Sequence, residues 1–366
     1  MLNLSNITIS NLDALLKLEP FSLPKEEKKL LFEKIQHELI LHHYQNCAPY
    51  QKIIKILNFI PYKKQPLTYL PFLPVRLFKT QLLKSVDHLQ IIKTLTSSGT
   101  SGQTTSKIML DQITATLQTK VLTKIMTNFI SVKRLPMLII DSKSVLKDRL
   151  LFSARGAGIL GFSMLGRDIT YALDENMQLD LDSIATFCDK YKHEDVLVFG
   201  FTYIIWTHFY KYLAKLPHSL SLKKGIMIHG GGWKKLLLES VDNRTFKALI
   251  ESVCHIKKIY NYYGMIEQTG SIFVECEQEH LHCSLFSDVL IRRPDFSLCD
   301  QNEVGIIELI SLVPFSYPGH ILLSEDLGEI LGEDNCQCGK LGKYFKIHGR
   351  IKEAEIRGCG DTYAES

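Results

Sequence analysis

Short apolar runs separated by longer amphipathic stretches set the strongest limit on how this chain can fold. The runs LPMLIID, ending at Asp141, and DVLVFGF, ending at Phe201, have the length of buried strands, and a third strand is predicted over Ile226–Ile228. Strands that alternate with helical stretches predict an α/β fold with mixed sheets flanked by helices. The runs EVGIIELISLV and HILLSEDLGEI predict a β-rich C-terminal part, with strands alternating with turns.

Helical spacing of apolar residues predicts where the helices lie. In residues 25–59 the repeating positions are Leu30, Ile35, Leu39 and Ile40. His42 and His43 fall within this pattern, and we interpret them as a helix-surface or core pair. The double-proline stretch LTYLPFLPVRLFK predicts extended or turn structure instead.

Composition excludes several classes of protein. The 366 residues are 45% hydrophobic, which suits either one large domain with lobes or two domains. The net charge of +4 gives no overall basic field for nucleic acid. The lysine pair Lys63-Lys64 is interpreted as solvated surface. The uncharged run Val196–Tyr210 is shorter than the roughly 20 residues of a membrane span, so we expect a buried strand followed by a helix. Nine cysteines without a secretory leader predict reduced thiols and a cytoplasmic protein.

The stretch TLTSSGTSGQTTSK, Thr94–Lys107, combines glycines with many hydroxyl side chains. Apolar residues precede it, and Ile113, Leu117 and Leu122 predict a helix directly after it. A strand–loop–helix order would direct backbone N–H groups at an anion such as phosphate. The alternative is a surface loop, and the Walker pattern is absent.

Three further segments follow in order. The segment HGGGWKK places three glycines after a strand, where the backbone can approach a flat ligand closely. In YYGMIEQTG, the carboxylate Glu267 can ligate Mg²⁺. In SEDLGEI, Asp326 can accept hydrogen bonds from ribose hydroxyls.

These segments, with HGRIKEAEIRG after them, stand in the order found in the adenylate-forming ligases, which the chain resembles over roughly residues 90–358. The stretches YLPFLPVRLFKT, ARGAGILGFS and EIRGCGDT look closest to the acyl-protein synthetases (LuxE type) of the fatty-acid reductase complex in luminous bacteria. The resemblance implies the large domain of an adenylate-forming ligase. It also implies that the small C-terminal domain, with its catalytic lysine, is absent, because the chain ends shortly after Gly358.

The resemblance also implies residue roles. The residues closing over the ATP phosphates would be Ser97, Ser98, Gly99, Thr100 and Gly102. Those lining the rest of the nucleotide would be Gly230, Gly231, Gly232, Tyr263, Gly264, Asp326 and Arg350. Glu267 would lie near Mg²⁺, and Ile266 replaces the threonine that is common in the family.

The resemblance points to Cys359 as the acyl acceptor. Gly358 and Gly360 flank it in a tail that could swing to an acyl-adenylate, and Arg357 nearby favours the thiolate. The alternative is an inert exposed thiol.

For the whole chain, we expect a helical N-terminal region at 1–85, an adenylate-forming domain at 86–358 and a mobile tail at 359–366.

A second candidate site combines ECEQEHLHC with CQCGK. Cys276, Cys336, Cys338 and either His280 or His282 would give four ligands for a structural Zn²⁺, as in some phenylacetate-ligase-like relatives. Our choice among the histidines is His282. The alternative is a turn with two free thiols.

The expected function is ATP- and Mg²⁺-dependent activation of a fatty or other carboxylic acid, with transfer to Cys359 as a thioester. The partner would be an acyl-reductase or acyl-transferase protein, with no nucleic acid and no stable membrane insertion. One competing interpretation is a ligase that delivers the acyl group to coenzyme A or to a carrier protein. Another is a non-catalytic nucleotide- or acyl-binding subunit.

Overall fold

The computed structural model describes residues 3–97, 105–146, 151–217, 219–233 and 239–351, with only the backbone of 151 and 152. The described chain divides into two compact units. Unit 1 comprises residues 1–96, 104–125 and 264–355, and unit 2 comprises 97–103, 126–263 and 356–366, in each case as far as they are described. No helix in the described ranges is both long and apolar enough to cross a bilayer.

Unit 1 begins with helices and continues as an antiparallel sheet. Its helices are α1 (Lys25–Asn46), α2 (Ala48–Ile56), α3 (Leu77–Thr80) and α4 (Gln112–Met126), the last ending at the unit boundary. Its strands are β1 (Leu73–Pro74), β2 (Ile91–Thr96), β3 (Lys107–Asp111), β10 (Phe273–Glu275), β11 (Leu281–His282), β12 (Ser287–Arg292), β13 (Gly305–Ser311), β14 (Ile321–Glu333) and β15 (Lys343–Arg350). The antiparallel order is β12-β13-β14-β15-β11-β10, with β1 parallel to β14.

Unit 2 is built on a parallel sheet in the order β6-β4-β7-β8-β9. Its strands are β4 (Leu135–Ser142), β5 (Leu151–Ser153), β6 (Gly166–Leu173), β7 (Val196–Phe201), β8 (Gly225–Gly230) and β9 (Lys258–Tyr263). Its helices are α5 (Ala154–Ser163), α6 (Leu181–Lys190), α7 (Thr202–Ile204), a π-helical segment (Ile205–Tyr210), α8 (Lys211–Leu213) and α9 (Asn243–Cys254). Every residue of β7 and β8 is buried, as expected for central parallel strands.

The expected α/β fold is confirmed, and so are the three strands read from apolar runs, which correspond to β4, β7 and β8. One local expectation was wrong. The helix predicted directly after the Ser/Thr-rich stretch begins at Gln112, because residues Lys107–Asp111 form β3, which pairs antiparallel with β2. The stretch therefore connects two strands of a hairpin. The last β-run is also different, since β14 is a single long strand without an intervening turn.

Candidate functional site

The predicted nucleotide residues fall in both units. Five of the predicted residues lie outside the described part of the chain: Ser98, Gly99, Thr100, Gly102 and Cys359. Ser97, just after β2, and Tyr263, at the end of β9, are half-buried. Gly264 is half-buried and begins the segment that leads to Glu267.

Glu267 is the buried carboxylate of unit 1. It lies in a single 3₁₀ turn, Ile266–Gln268, and is 6% exposed. Burial raises the pKa of Glu267 above its ordinary value, and the hydroxyl of Ser106 and the guanidinium of Arg350 partly offset that effect. The carboxylate is therefore held where its charged form is costly and where a cation would be stabilising.

The turn that carries Glu267 is anchored on both sides. The side-chain amide of Gln268 donates to the carbonyl oxygens of Leu309 and Gly319, at 3.0 and 2.8 Å. A Cβ atom at Gly319 would lie 2.7 Å from the carbonyl oxygen of Glu267, so glycine is needed for this close approach. Tyr317, two residues earlier, is fully buried and accepts a hydrogen bond from Gln118 on α4 at 3.4 Å. These contacts fix the position of the carboxylate.

Asp326 and Arg350 are cross-strand neighbours on β14 and β15. The Nε atom of Arg350 donates to Oδ1 of Asp326 at 3.1 Å, and both side chains reach solvent in part. The adjacent Glu325 pairs with Arg76 and also raises the pKa of Glu267. The structure thus brings three predicted residues of unit 1, Glu267, Asp326 and Arg350, into one electrostatically coupled group.

The glycines of unit 2 lie at the carboxyl end of β8, with Gly230 as its last residue, at the edge of a parallel sheet where ligands of α/β proteins bind. A Cβ atom at Gly230 would lie 2.5 Å from the ring of Tyr262, so this position requires glycine for packing. Gly231 has φ +82°, a backbone conformation that favours glycine, and the position of a Cβ at Gly232 is open. Only the last of the three is free of a local structural requirement.

His229, directly before these glycines, is buried and neutral. Burial lowers the pKa of His229 to about 3. The hydroxyl of Thr202 donates to the carbonyl oxygen of Gly230 at 3.2 Å and lies 3.0 Å from Nδ1 of His229. The hydroxyl proton is used on Gly230, so Nδ1–H donates to Thr202 and the lone pair lies on Nε2. The pair holds the end of β8 against α7.

The four cysteine and histidine residues of the second candidate site converge in unit 1. The ligand atoms of Cys276, His282, Cys336 and Cys338 all lie within 4.8 Å of one another. Sγ of Cys276 is 4.0 Å from Sγ of Cys336, and Sγ of Cys338 is 3.3 Å from Nε2 of His282. His280 lies beside the group, with Nδ1 3.4 Å from Sγ of Cys336.

Sequence reasoning missed three residues of these sites. Ser106 acts on Glu267 although it belongs to the hydroxyl-rich stretch, Glu325 precedes Asp326 in SEDLG, and His229 opens HGGG. Each lies inside a motif that had been singled out. Membership of these motifs could therefore have identified all three residues, although the family resemblance assigns roles only to their neighbours.

Several solved ligases have a similar fold. In the search of solved structures, 2-hydroxyisobutyryl-CoA ligase in the postadenylation state with 2-HIB-AMP matches with a TM-score of 0.67 and 14% identity, over 90% of this chain and 69% of that one. The same ligase with 2-HIB-AMP and CoA in the thioesterification state matches with a TM-score of 0.68 and 14% identity, over 92% of this chain and 70% of that one. Its open conformation matches with a TM-score of 0.66 and 14% identity, over 92% of this chain and 77% of that one. At this identity the likeness shows the fold.

A sequence search of curated proteins found no significant match. The family model described as "Acyl-protein synthetase, LuxE" matches residues 1–366. The fold expected from the sequence, that of an adenylate-forming ligase, is the fold of the solved ligases above. The chain therefore belongs to the acyl-protein synthetase (LuxE) family.

Proposed function

We propose that this protein activates a fatty acid with MgATP and transfers the acyl group to its own Cys359. The carboxylate oxygen of the acid attacks the α-phosphorus, the bond to the β-phosphate bridging oxygen breaks, and pyrophosphate leaves. The thiolate of Cys359 then attacks the acyl carbonyl carbon and AMP leaves, after the thiol proton has passed to solvent. The resulting thioester supplies an acyl-reductase or acyl-transferase partner.

The observation that carries the first step is the environment of Glu267. Mg²⁺ prefers oxygen ligands and is commonly bound by one or two carboxylates together with substrate phosphates. Glu267 fits that requirement, because its buried carboxylate has a raised pKa and would be stabilised by a cation. In the proposal Mg²⁺ arrives with ATP as part of the substrate, and Glu267 holds it on the protein side.

The other predicted residues would position the nucleotide. Asp326 accepts from a ribose hydroxyl while its other contact to Arg350 fixes its orientation. The guanidinium of Arg350 brings positive charge to the same group as Glu267. In unit 2, the backbone at Gly231 and Gly232 lines the adenine at the carboxyl edge of the sheet. The hydroxyl-rich loop, including Ser97, closes over the phosphates.

The thiols of the described chain support Cys359 as the acceptor. Nucleophilic attack requires the thiolate, and burial raises the pKa of a thiol. Burial raises the pKa of Cys188 to about 11 and that of Cys254 to about 12. It also raises the pKa of Cys47, Cys283 and Cys299. These thiols are poor acceptors, whereas Cys359 lies between glycines in the sequence.

A structural Zn²⁺ at Cys276, His282, Cys336 and Cys338 is the second part of the proposal. Tetrahedral zinc with Zn–S bonds near 2.3 Å separates two sulfur ligands by about 3.8 Å. The sulfur–sulfur distance of 4.0 Å and the sulfur–nitrogen distance of 3.3 Å fit this geometry. Zinc would supply no chemistry there. It would join the β10–β11 hairpin to the loop between β14 and β15.

One competing function has a specific observation in its favour. The solved ligase with this fold carries 2-HIB-AMP and CoA in its thioesterification state. Delivery of the acyl group to coenzyme A or a carrier-protein phosphopantetheine is therefore the second candidate. In that case Cys359 would have no acceptor role.

Two measurements on the purified protein test the proposal. Acid-dependent ATP–pyrophosphate exchange across carboxylic acids of increasing chain length should be fastest with a fatty acid. Radioactive fatty acid with ATP should then label the protein with a bond released by neutral hydroxylamine, without coenzyme A. Absence of exchange with every acid would refute adenylation. Exchange with label that appears only on coenzyme A would favour the second candidate.

A further inference from the structure

The end of α2 and the turn after it expose apolar side chains in close succession. We call residues Lys52–Lys64 the 52–64 surface. Within it, Ile56 is 78% exposed, Leu57 53%, Ile60 61% and Tyr62 65%. Isolated exposed apolar residues are ordinary, but four within seven residues form a patch that calls for a binding partner.

The chain holds these side chains outward by defined contacts. Tyr50 and Ile54, on the other face of α2, are completely buried. The helix ends in a Schellman arrangement, in which Phe59 N–H donates to Ile54 O and Asn58 N–H donates to Lys55 O, with Asn58 at φ +52°. The exposed side chains thus lie on a hydrogen-bonded helix end and turn.

The turn that follows is fixed in the same way. The N–H of Lys63 donates to Ile60 O at 3.1 Å, and Pro61 between them is buried. The ring of Tyr62 packs edge-on against Tyr44 of α1, with centroids 6.2 Å apart. The apolar tip is therefore a feature of the folded state.

Lysines flank the exposed apolar side chains of the 52–64 surface in the sequence. From Leu39 to Val86 the sequence has seven Lys or Arg residues and no Asp or Glu, although the whole chain has 43 basic and 39 acidic residues. The four within the 52–64 surface, all exposed, are Lys52, Lys55, Lys63 and Lys64. Within the described ranges none of these four ammonium groups forms an ion pair with a carboxylate.

We propose that the 52–64 surface docks peripherally on an anionic lipid bilayer. The apolar side chains of Ile56, Leu57 and Ile60 would enter the boundary between headgroups and acyl chains, Tyr62 would lie at headgroup level, and the lysines would pair with lipid phosphates. The inference rests on the proposed function in one respect: a long-chain fatty acid partitions into bilayers, so docking would place the enzyme at its substrate.

The chemistry favours lipid over an acidic protein as the occupant. Protein interfaces are enriched in arginine and aromatic residues and depleted in lysine, whereas every basic residue of this surface is lysine. A lysine stem can pack on apolar surface while its ammonium group stays among headgroups. The apolar side chains also lie on an exposed helix end and the turn after it, where they are free to enter a soft boundary.

Vesicle flotation without ATP or fatty acid tests the inference. Vesicles of phosphatidylcholine with phosphatidylglycerol should float the wild-type protein, and pure phosphatidylcholine should float much less. Raising NaCl from 0.1 to 0.5 M should weaken the binding, because salt screens lysine–phosphate attraction. The combined variant Ile56→Ser, Leu57→Ser and Ile60→Ser should lower the partition coefficient at least about tenfold. A Lys→Gln change at all four lysines should do the same for the anionic vesicles.

Matched variants separate this surface from general effects. Val132→Ser changes an apolar residue that is 91% exposed in unit 2, and Lys→Gln at Lys215, Lys223, Lys257 and Lys258 removes the same charge from other exposed positions. Both controls should float like the wild type. Exchange measured with a short, water-soluble acid should be equal in all variants. Absence of exchange in the wild-type protein with every acid would count against the proposed function, whereas flotation, measured without ATP or acid, tests docking separately.

Two outcomes would overturn the inference. If the wild-type protein stays with the dense fraction for both vesicle compositions, lipid is not the occupant, and an acidic protein becomes the occupant to test. If the apolar variant and the lysine variant both float like the wild type, lipid binds elsewhere on the chain.

Discussion

At the residue scale, the buried carboxylate of Glu267 has a structural cost and a proposed role in holding Mg²⁺. Its carboxylate is buried among contacts that fix the turn, and burial favours the neutral acid. Residues that oppose local stability in this way concentrate at functional sites, where a ligand restores the balance. A substitution of Glu267 should therefore change stability and activity in opposite directions.

We expect Glu267→Gln to stabilise the unliganded protein at pH 8 and to abolish most adenylation. The pKa of Glu267 is higher in the folded than in the unfolded state, so the folded state loses stability as the pH rises above the ordinary value of 4.5. The Tm of the variant should exceed that of the wild type at pH 8, and the two should converge at pH 4. ATP–pyrophosphate exchange should fall at least about a hundredfold.

Glu329→Gln provides the comparison for this prediction, because Glu329 is a half-buried carboxylate on β14 that pairs with His348. It should retain exchange near the wild-type rate. A Tm difference between Glu267→Gln and the wild type that is the same at both pH values would show that titration of Glu267 is not its cause. Wild-type exchange in that variant would remove the proposed role in holding Mg²⁺.

The three glycines at the carboxyl end of β8 allow stability and nucleotide binding to be tested separately. Gly230→Ala should lower the Tm, because a Cβ there would lie 2.5 Å from the ring of Tyr262. Gly232→Ala meets open space and should leave the Tm unchanged. If the backbone at Gly232 lines the adenine, this variant should still raise the KM for ATP in the exchange assay. An unchanged KM would place the adenine elsewhere.

At the element scale, the sequence predicted strands better than it predicted faces and junctions. The runs that became β4, β7 and β8 are mostly apolar and buried along nearly their whole length, as central parallel strands are, which favours a strand over an amphipathic helix. Helix faces were less certain. Ile35, Leu39 and Ile40 are buried, but Leu30 and Ile113 are both 67% exposed.

The exposure of Ile113, which the apolar pattern of α4 placed on the predicted helix face, has a physical cause. The buried face of this helix includes the polar residues Thr114 and Gln118, which hydrogen-bond to Ser316 and Tyr317 in the loop after β13. An apolar pattern cannot predict a face that is satisfied by hydrogen bonds. The preceding hairpin was missed for a similar reason, because β3 owes its strand conformation to pairing with β2.

The cysteine and histidine cluster shows the opposite case. Its residues come from β11 and from turns after β10 and β14, separated by more than fifty positions between Cys276 and Cys336. The sequence supplied the ligand types, and the structure favours His282 over His280 because His282 lies within the group of four. We predict that this group of four residues holds zinc.

We expect the purified protein to contain about one zinc per chain, and chelation to lower its Tm, because binding free energy contributes to folding. Cys338→Ser should lower both the zinc content and the Tm. Cys188→Ser, which changes another half-buried cysteine, should alter neither. Metal analysis that finds no zinc after expression in zinc-supplemented medium would leave the cluster as free thiols.

At the scale of the whole molecule, the proposal divides the reaction between the described site and the C-terminal tail. Glu267, Asp326 and Arg350 belong to unit 1, while Cys359 was identified from its flanking glycines and from the family resemblance. Adenylation and acyl transfer should therefore be separable by mutation. The boundaries of the helical region, the adenylate-forming domain and the tail stay predictions.

We expect Cys359→Ser to keep acid-dependent ATP–pyrophosphate exchange and to lose stable labelling by radioactive fatty acid. Serine cannot replace the thiol, because an alkoxide forms with difficulty at neutral pH without a general base. Label on the wild-type protein should be released by neutral hydroxylamine, as a thioester requires. Cys299→Ser, at a half-buried thiol whose pKa is raised by burial, should be labelled normally. If Cys359→Ser still takes up hydroxylamine-sensitive label at the wild-type level, the acceptor is a different thiol. Delivery to coenzyme A or a carrier protein then becomes the leading hypothesis if no protein cysteine proves to be required.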